Sequence, residues 1–428
     1  MSCHYIINGL RCSDHYFTLP LDHNQPQGRK ISVYAREVAS KAGHEQQLPF
    51  IVYFQGGPGF GAMRPTGLDG WIKAASAHYR VLLLDQRGTA NSSPVTAQTL
   101  AHLNVGEQVE YLSHFRADSI VRDAELIRAQ LIGTEKWSII GQSFGGFCVL
   151  RYLSSAPEGL AQAFITGGIP SLSRHADDVY KATFPRVQAK NEGFFSLYPK
   201  AQAMAKKIAD HLLIHQELMP NGQPLTVEQF QLLGIHLGMT GGHQELYFLM
   251  EQAFAQVEGE PELSYIFKSQ LMTLLDYDTH PIFAFLHESI YCQEFASNWA
   301  AQRIRTQEFS HRFDYQGGEQ PFYFTGEMIF PWMFEQFANL KPLAKAAQGL
   351  AIKRDWPALY DLAVLKRNQV PTAAAIYFDD MYVDINYSLE TVAQVANMHT
   401  WVSSDYDHNG IRVDGELIFN KLHGLLNP

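Results

Sequence analysis

Three short apolar runs constrain this chain more than any other feature: residues 49–54 (PFIVYF), 80–85 (RVLLLD) and 137–141 (WSIIG). Each ends in turn-forming residues, and none alternates with polar side chains as a half-exposed strand must. Strands of this kind are buried on both faces. Residues 117–131 lie between the last two runs and place Ile120, Val121, Ala124, Ile127 and Leu131 on one helical face, with charged residues on the other. Apolar strands separated by amphipathic helices predict an α/β fold, with a mostly parallel central sheet and helices on both faces. Residues 30–38 (KISVYAREV) add a strand with period-two alternation, and residues 164–168 (FITGG) another buried one.

After about residue 171 the pattern changes. Up to about 364 the chain is rich in helix formers and aromatics, as in residues 201–213 and 342–352, with few clear strands. Strand signals return at 371–378 (PTAAAIYF) and 400–403 (TWVS), followed by an amphipathic segment at 416–425. The 428 residues are therefore expected to form one scaffold, 1–170 and 365–428, interrupted by a large, mostly helical cap at 171–364. With 33 Lys and Arg against 43 Asp and Glu, the net charge of −10 disfavours a nucleic-acid partner. The first ten residues lack a basic region followed by an apolar stretch, and no apolar run is long enough to span a bilayer, so a cytoplasmic protein without membrane association is expected. The four cysteines, Cys3, Cys12, Cys148 and Cys292, read as reduced thiols, and no ligand spacing suggests a metal.

The chemistry is concentrated at Gly141-Gln142-Ser143-Phe144-Gly145. A G-x-S-x-G pentapeptide arises by chance in a chain of this size with a probability on the order of 0.1, so its context matters more than the match. A buried strand precedes it and a helical pattern, residues 147–153, follows, which is the strand, tight turn and helix that a nucleophile elbow needs. Gln55-Gly56-Gly57-Pro58-Gly59 follows the strand 49–54 and can present backbone amides to an oxyanion, with Gly57 pairing naturally with Phe144. The same stretch also fits a dinucleotide fingerprint, G-x-G-x-x-A over residues 57–62, with Asp85 as the ribose acid. Pro65, Gly67 and Gly70 interrupt the helix such a site requires, and no cofactor is expected.

The acid and base are expected downstream of the serine. The strand 371–378 ends in Asp379-Asp380, and the strand 400–403 leads into a loop offering His408. Only one of the adjacent aspartates can face His408, and the turn at the strand end favours Asp380.

The segments FQGGPGFG, LLLDQRGTANSSP (82–94), GQSFGGF (141–147), DDMYVD and YDHNG together resemble the prolyl aminopeptidases, or proline iminopeptidases, of the α/β-hydrolase superfamily, in their longer branch of about 420 residues. The likeness covers residues 12–170 and 364–428, and the region between them more loosely. It implies Ser143 as nucleophile, Asp380 as orienting acid, His408 as general base, and Gly57 and Phe144 as the oxyanion hole. Arg87 would then be a scaffold residue. Two positions depart from the family pattern: Gln55 replaces the usual histidine before GGPG, and Ala90 replaces a glycine after DQRGT.

An enzyme of this kind needs a carboxylate for the substrate's free ammonium, because burying that charge unpaired is prohibitive. The resemblance points to cap glutamates. Glu327 in FTGEMIFPW comes first, then Glu245, with Glu251 and Glu335 behind them, and Phe330 and Trp332 are expected to wall a slot for a pyrrolidine ring. The expected partner is a small peptide with a free N-terminus. Other readings on the same scaffold are a broader aminopeptidase, a tripeptidyl-type peptidase, a small-acyl esterase, or a silent hydrolase fold acting as a receptor.

Overall fold

The computed structural model describes residues 4–427. Nine strands form one sheet: β1 (His4–Ile7), β2 (Leu10–Pro20), β3 (Lys30–Ser40), β4 (Phe50–Phe54), β5 (Arg80–Leu84), β6 (Trp137–Gln142), β7 (Leu160–Thr166), β8 (Thr372–Tyr377) and β9 (Met398–Ser403). Their spatial order is β1-β2-β3-β5-β4-β6-β7-β8-β9. The pairs from β1 through β3 to β5 are antiparallel and all the others are parallel. The runs PFIVYF, RVLLLD and WSIIG thus lie side by side at the centre, where helices cover both faces.

Strand alternation divides the core. Ile51, Tyr53, Val81 and Leu83 point to one face and pack with Trp71 and Ile72 of α1 (Gly70–Ala75) and Ile418, Phe419 and Leu422 of a C-terminal helix, Gly415–Leu426. Val52, Phe54, Leu82 and Leu84 point to the other face. There they meet α2 (Ala117–Ile132), whose buried face is Ile120, Val121, Ala124 and Ile127 as its periodicity predicts, and α3 (Phe144–Ser155).

Between β7 and β8 no strand joins this sheet. The segment is mostly helical, from Ala176–Leu197 and Ala201–Ile214 onward, and its only strands are two short hairpins, Glu217–Leu218 with Pro224–Leu225 and Phe254–Val257 with Glu260–Leu263. Its apolar side chains are continuous with the core on the α2–α3 face. Arg116, 1% exposed, fixes the join by donating to the carbonyls of Ser289, Cys292 and Pro357. Hydrogen bonds from a buried guanidinium to three loop carbonyls hold the inserted segment in register over the sheet.

Cys12, Cys148 and Cys292 are buried free thiols, and Cys3 lies outside the described residues. Among the described residues no helix is long and apolar enough to cross a membrane.

Candidate active site

The turn between β6 and α3 carries Ser143 at φ 55°, ψ −125°, a left-handed conformation that costs a non-glycine residue on the order of 1–3 kcal/mol. Its neighbours over-determine it. The Ser143 N–H donates to the Thr166 carbonyl at 3.0 Å, and its own carbonyl accepts from Gly146 at 2.7 Å. The glycines are steric requirements: a Cβ on Gly145 would lie 2.0 Å from the Phe54 carbonyl oxygen, and one on Gly141 would lie 2.2 Å from that of Gly145. The turn can therefore close only with glycine at both ends of the pentapeptide. Cys148, one helical turn further on, is fully buried, and burial pushes its thiol well above the ordinary value. A thiol in that state does not react.

The loop after β4 abuts this turn, since a Cβ on Gly56 would come within 2.8 Å of Ser143 Cβ. Among the described residues neither the Gly57 N–H nor the Phe144 N–H donates a hydrogen bond. These free donors sit beside Ser143 and at the positive end of α3. Asp85 is fully buried and holds the loop, accepting from the Ala62 and Asn91 amides at 3.0 and 3.1 Å and pairing with Arg64. An acid so engaged has no capacity left for a ribose, so the dinucleotide pattern is a loop tie. Arg87, also buried, pairs with Asp123 at 2.6 Å and donates to the Pro20, Leu21 and His114 carbonyls, which is the scaffold role expected of it.

Asp380 follows β8 and His408 follows β9. His408 Nδ1 lies 2.6 Å from Asp380 Oδ2, while Oδ1 of the same carboxylate accepts from the Tyr382 and Val383 amides at 2.8 and 3.1 Å. Asp380 is 2% exposed, whereas Asp379 points to solvent, so the turn itself selects between the two aspartates. Burial pulls the His408 pKa down, but the charge and hydrogen bond of Asp380, with Glu327 nearby, outweigh it and leave the imidazole above its ordinary value. The ring packs edge-on against Tyr382 at 4.6 Å, and the His408 N–H donates to the Gly238 carbonyl of the inserted segment at 3.2 Å. With Nδ1 bonded to a carboxylate, Nε2 is the nitrogen left for a reacting group.

Ser143, His408, Gly57 and Glu327 all line one cavity of about 190 Å³ beneath the inserted segment. Glu327 faces it from a loop, and its carboxylate has no hydrogen-bond partner among the described residues. Desolvation of this half-buried side chain pushes its carboxyl up to about 7; His408 opposes the rise and Asp380 adds to it. The apolar wall is formed by Phe60, Tyr277 and Phe283, with His280 stacked on Phe60 at 4.1 Å. No cluster of His, Cys, Asp or Glu among the described residues is arranged to hold a metal.

Several expectations about the inserted segment need correction. Phe330 is fully buried away from the cavity, stacked on Trp332 at 5.7 Å and covered by the Arg305 guanidinium, and neither ring lines the site. Glu245 is on the outer face of the helix Gly242–Glu251, because Leu246, Leu249 and Met250 occupy its inner face. It bridges to His236 at 3.0 Å, which holds its carboxyl below the ordinary range. Glu251 and Glu335 are exposed. Sequence reasoning missed the aromatic wall, which carries no recognisable motif, and Arg412, whose place four residues after His408 on a short helical turn is a usable signal.

Residues 49–253 match the family described as alpha/beta hydrolase fold. The chain is 51% identical over 420 residues to a proline iminopeptidase of Aeromonas sobria, covering 98% of this chain and 97% of that one. It is 32% identical over 425 residues to the Aspergillus aculeatus protein named proline iminopeptidase aneH, covering 97% and 93%.

Proposed function

The chain belongs to the proline iminopeptidase family and has the α/β-hydrolase fold, and from that footing we propose that it releases N-terminal proline from small peptides by serine acyl transfer. The observation that carries this reading is the Glu327 carboxylate, unpartnered and facing the same cavity as Ser143. A buried carboxylate is costly unless a cation pairs with it, and a substrate's free ammonium is such a cation. Phe60, Tyr277 and Phe283 offer a surface for the pyrrolidine ring.

In the reaction His408 takes the Ser143 proton as Oγ attacks the carbonyl of the N-terminal residue. Asp380 holds the imidazole in the tautomer that leaves Nε2 free, and it stabilises the imidazolium that forms. The Gly57 and Phe144 amides receive the negative oxygen of the tetrahedral intermediate. His408 then protonates the leaving amine, and water repeats both steps on the acyl-enzyme. Segment 171–364 acts as a cap that encloses the amine end of the substrate, on a scaffold made of 1–170 and 365–428. The buried free thiols are in keeping with a reducing, cytoplasmic setting.

A panel of aminoacyl-naphthylamides, each with and without N-acetylation, tests this reading. Pro-naphthylamide is expected to be the best substrate, and N-acetylation to abolish its hydrolysis. An enzyme that cleaves blocked and free substrates equally is not an aminopeptidase. Labelling of Ser143 by a fluorophosphonate separates a working hydrolase from a silent receptor.

A further inference from the structure

Arg412 lines the same cavity from the helical turn Gly410–Val413, yet it is largely exposed and so belongs to the cavity's mouth. Among the described residues no carboxylate lies within ion-pair distance of its guanidinium. Its position is nevertheless set. Gln55 is 3% exposed, and the orientation of its amide that satisfies its neighbours turns the oxygen to accept from Arg412 Nη2 at 3.0 Å and the Gly56 amide at 3.3 Å, while the nitrogen donates to Tyr53 Oη at 3.1 Å. One donor of the guanidinium is used and the others are free.

Both residues line the Ser143 cavity, but from different depths. Arg412 meets Gln55, next to the oxyanion loop, whereas Glu327 lies among Tyr180, Tyr291 and Tyr382. Arg412 is exposed at the mouth, whereas Glu327 also faces a small cavity among buried side chains, so the two charges stand at the outer and inner ends of the site that holds His408. If the ammonium end of the substrate is at Glu327, the chain beyond the scissile bond leaves past His408, the residue that must protonate its nitrogen. Arg412, exposed at the mouth of the same cavity, is then on the side where that chain leaves.

We propose that Arg412, steadied by Gln55, is a specificity-determining residue for the leaving side of the substrate. Its free N–H donors take an oxygen of the residue after the scissile bond, either a backbone carbonyl or, in a dipeptide, the terminal carboxylate. A guanidinium suits both, because its planar fork donates two bonds to a carboxylate and one to a carbonyl. This inference rests on the reading of Glu327 as the ammonium site.

The test compares Arg412→Ala and Arg412→Lys with the wild type on Pro-naphthylamide, Pro-Gly, Pro-Gly-NH2 and Pro-Gly-Gly. Naphthylamide has no oxygen beyond the scissile amide. R412A is expected to lower kcat/KM at least tenfold more on the peptides than on Pro-naphthylamide, chiefly through KM, and R412K to recover part of the loss. A loss confined to Pro-Gly identifies the carboxylate as the oxygen recognised, and an equal loss on Pro-Gly-NH2 identifies the carbonyl. A proportional loss on all four substrates, or none on the peptides, overturns the assignment. Failure of the underlying reading looks different: the wild type would then leave Pro-naphthylamide uncut, or cut it equally well when N-acetylated.

Discussion

Replacing Glu327 with Gln tests the ammonium site through two readouts that move in opposite directions. Gln keeps the shape of the side chain and removes the charge. Breaking one side of a buried ion pair costs about 3–5 kcal/mol, which corresponds to a loss of roughly 10²- to 10³-fold or more in kcat/KM for Pro-naphthylamide. The free enzyme should respond the other way. A carboxyl lifted from 4.5 to about 7 by burial makes the folded protein bind a proton more tightly than the unfolded chain does between those values. Stability is therefore greatest below pH 4.5 with respect to this group, falls as pH rises to 7, and carries a penalty of about 3 kcal/mol above that. E327Q removes the penalty but leaves a neutral amide with few partners, so a net gain of about 1–3 kcal/mol is expected at pH 8 and little change at pH 4.5. Urea unfolding at both pH values measures this, and hydrolysis of p-nitrophenyl acetate checks that Ser143 and His408 remain competent. A folded E327Q that cleaves Pro-naphthylamide within about threefold of wild type would refute the argument, whatever its stability.

Four further outcomes follow from the same geometry. Wild-type kcat/KM should rise with pH through about 7, because Glu327 must lose its proton to bind the ammonium and His408 must be neutral to act as base; a profile flat from pH 5 to 8 contradicts both roles. Asp380→Asn should fold and lose about 10⁴-fold in kcat, and a loss under tenfold would remove Asp380 from the reaction. Gly145→Ala forces a Cβ to within 2.0 Å of a backbone oxygen and should cost at least about 1–3 kcal/mol in unfolding free energy; an unchanged Tm would mean the turn is not sterically fixed. Phe283→Ala should raise KM for Pro-naphthylamide more than for Ala-naphthylamide, and an equal effect on both would show that Phe283 does not read the ring.

Legibility of the sequence followed the physics of each element. Central strands buried on both faces have no polar positions, so PFIVYF, RVLLLD and WSIIG stood out, and the turn at Ser143 is legible because sterics leave no residue but glycine at its ends. The antiparallel β2 was not visible. Its middle residues, Asp14, His15 and Tyr16, are polar or exposed, and Asp14 is instead satisfied sideways by Arg36 at 2.8 Å and Tyr34 at 2.7 Å. Edge strand β9 gave a signal only at its end, for a similar reason. In the inserted segment, aromatic residues are too common for any one to announce itself. Phe283 and Phe330 are equally apolar in sequence, and only the path of the chain turns one to the cavity and the other to Arg305.

The His408 loop is sewn to the inserted segment by its own N–H to Gly238, by Asn409 to the Thr240 amide and by Asp407 to Lys190. During synthesis β8 and β9 emerge after the whole insertion, and β8 must still find its place beside β7. A nascent chain therefore has its Ser143 turn long before it has His408, and it cannot seat the His408 loop until the insertion has settled. Contacts so distant along the chain form slowly. In refolding, activity should return as the last phase, after most of the secondary structure is in place.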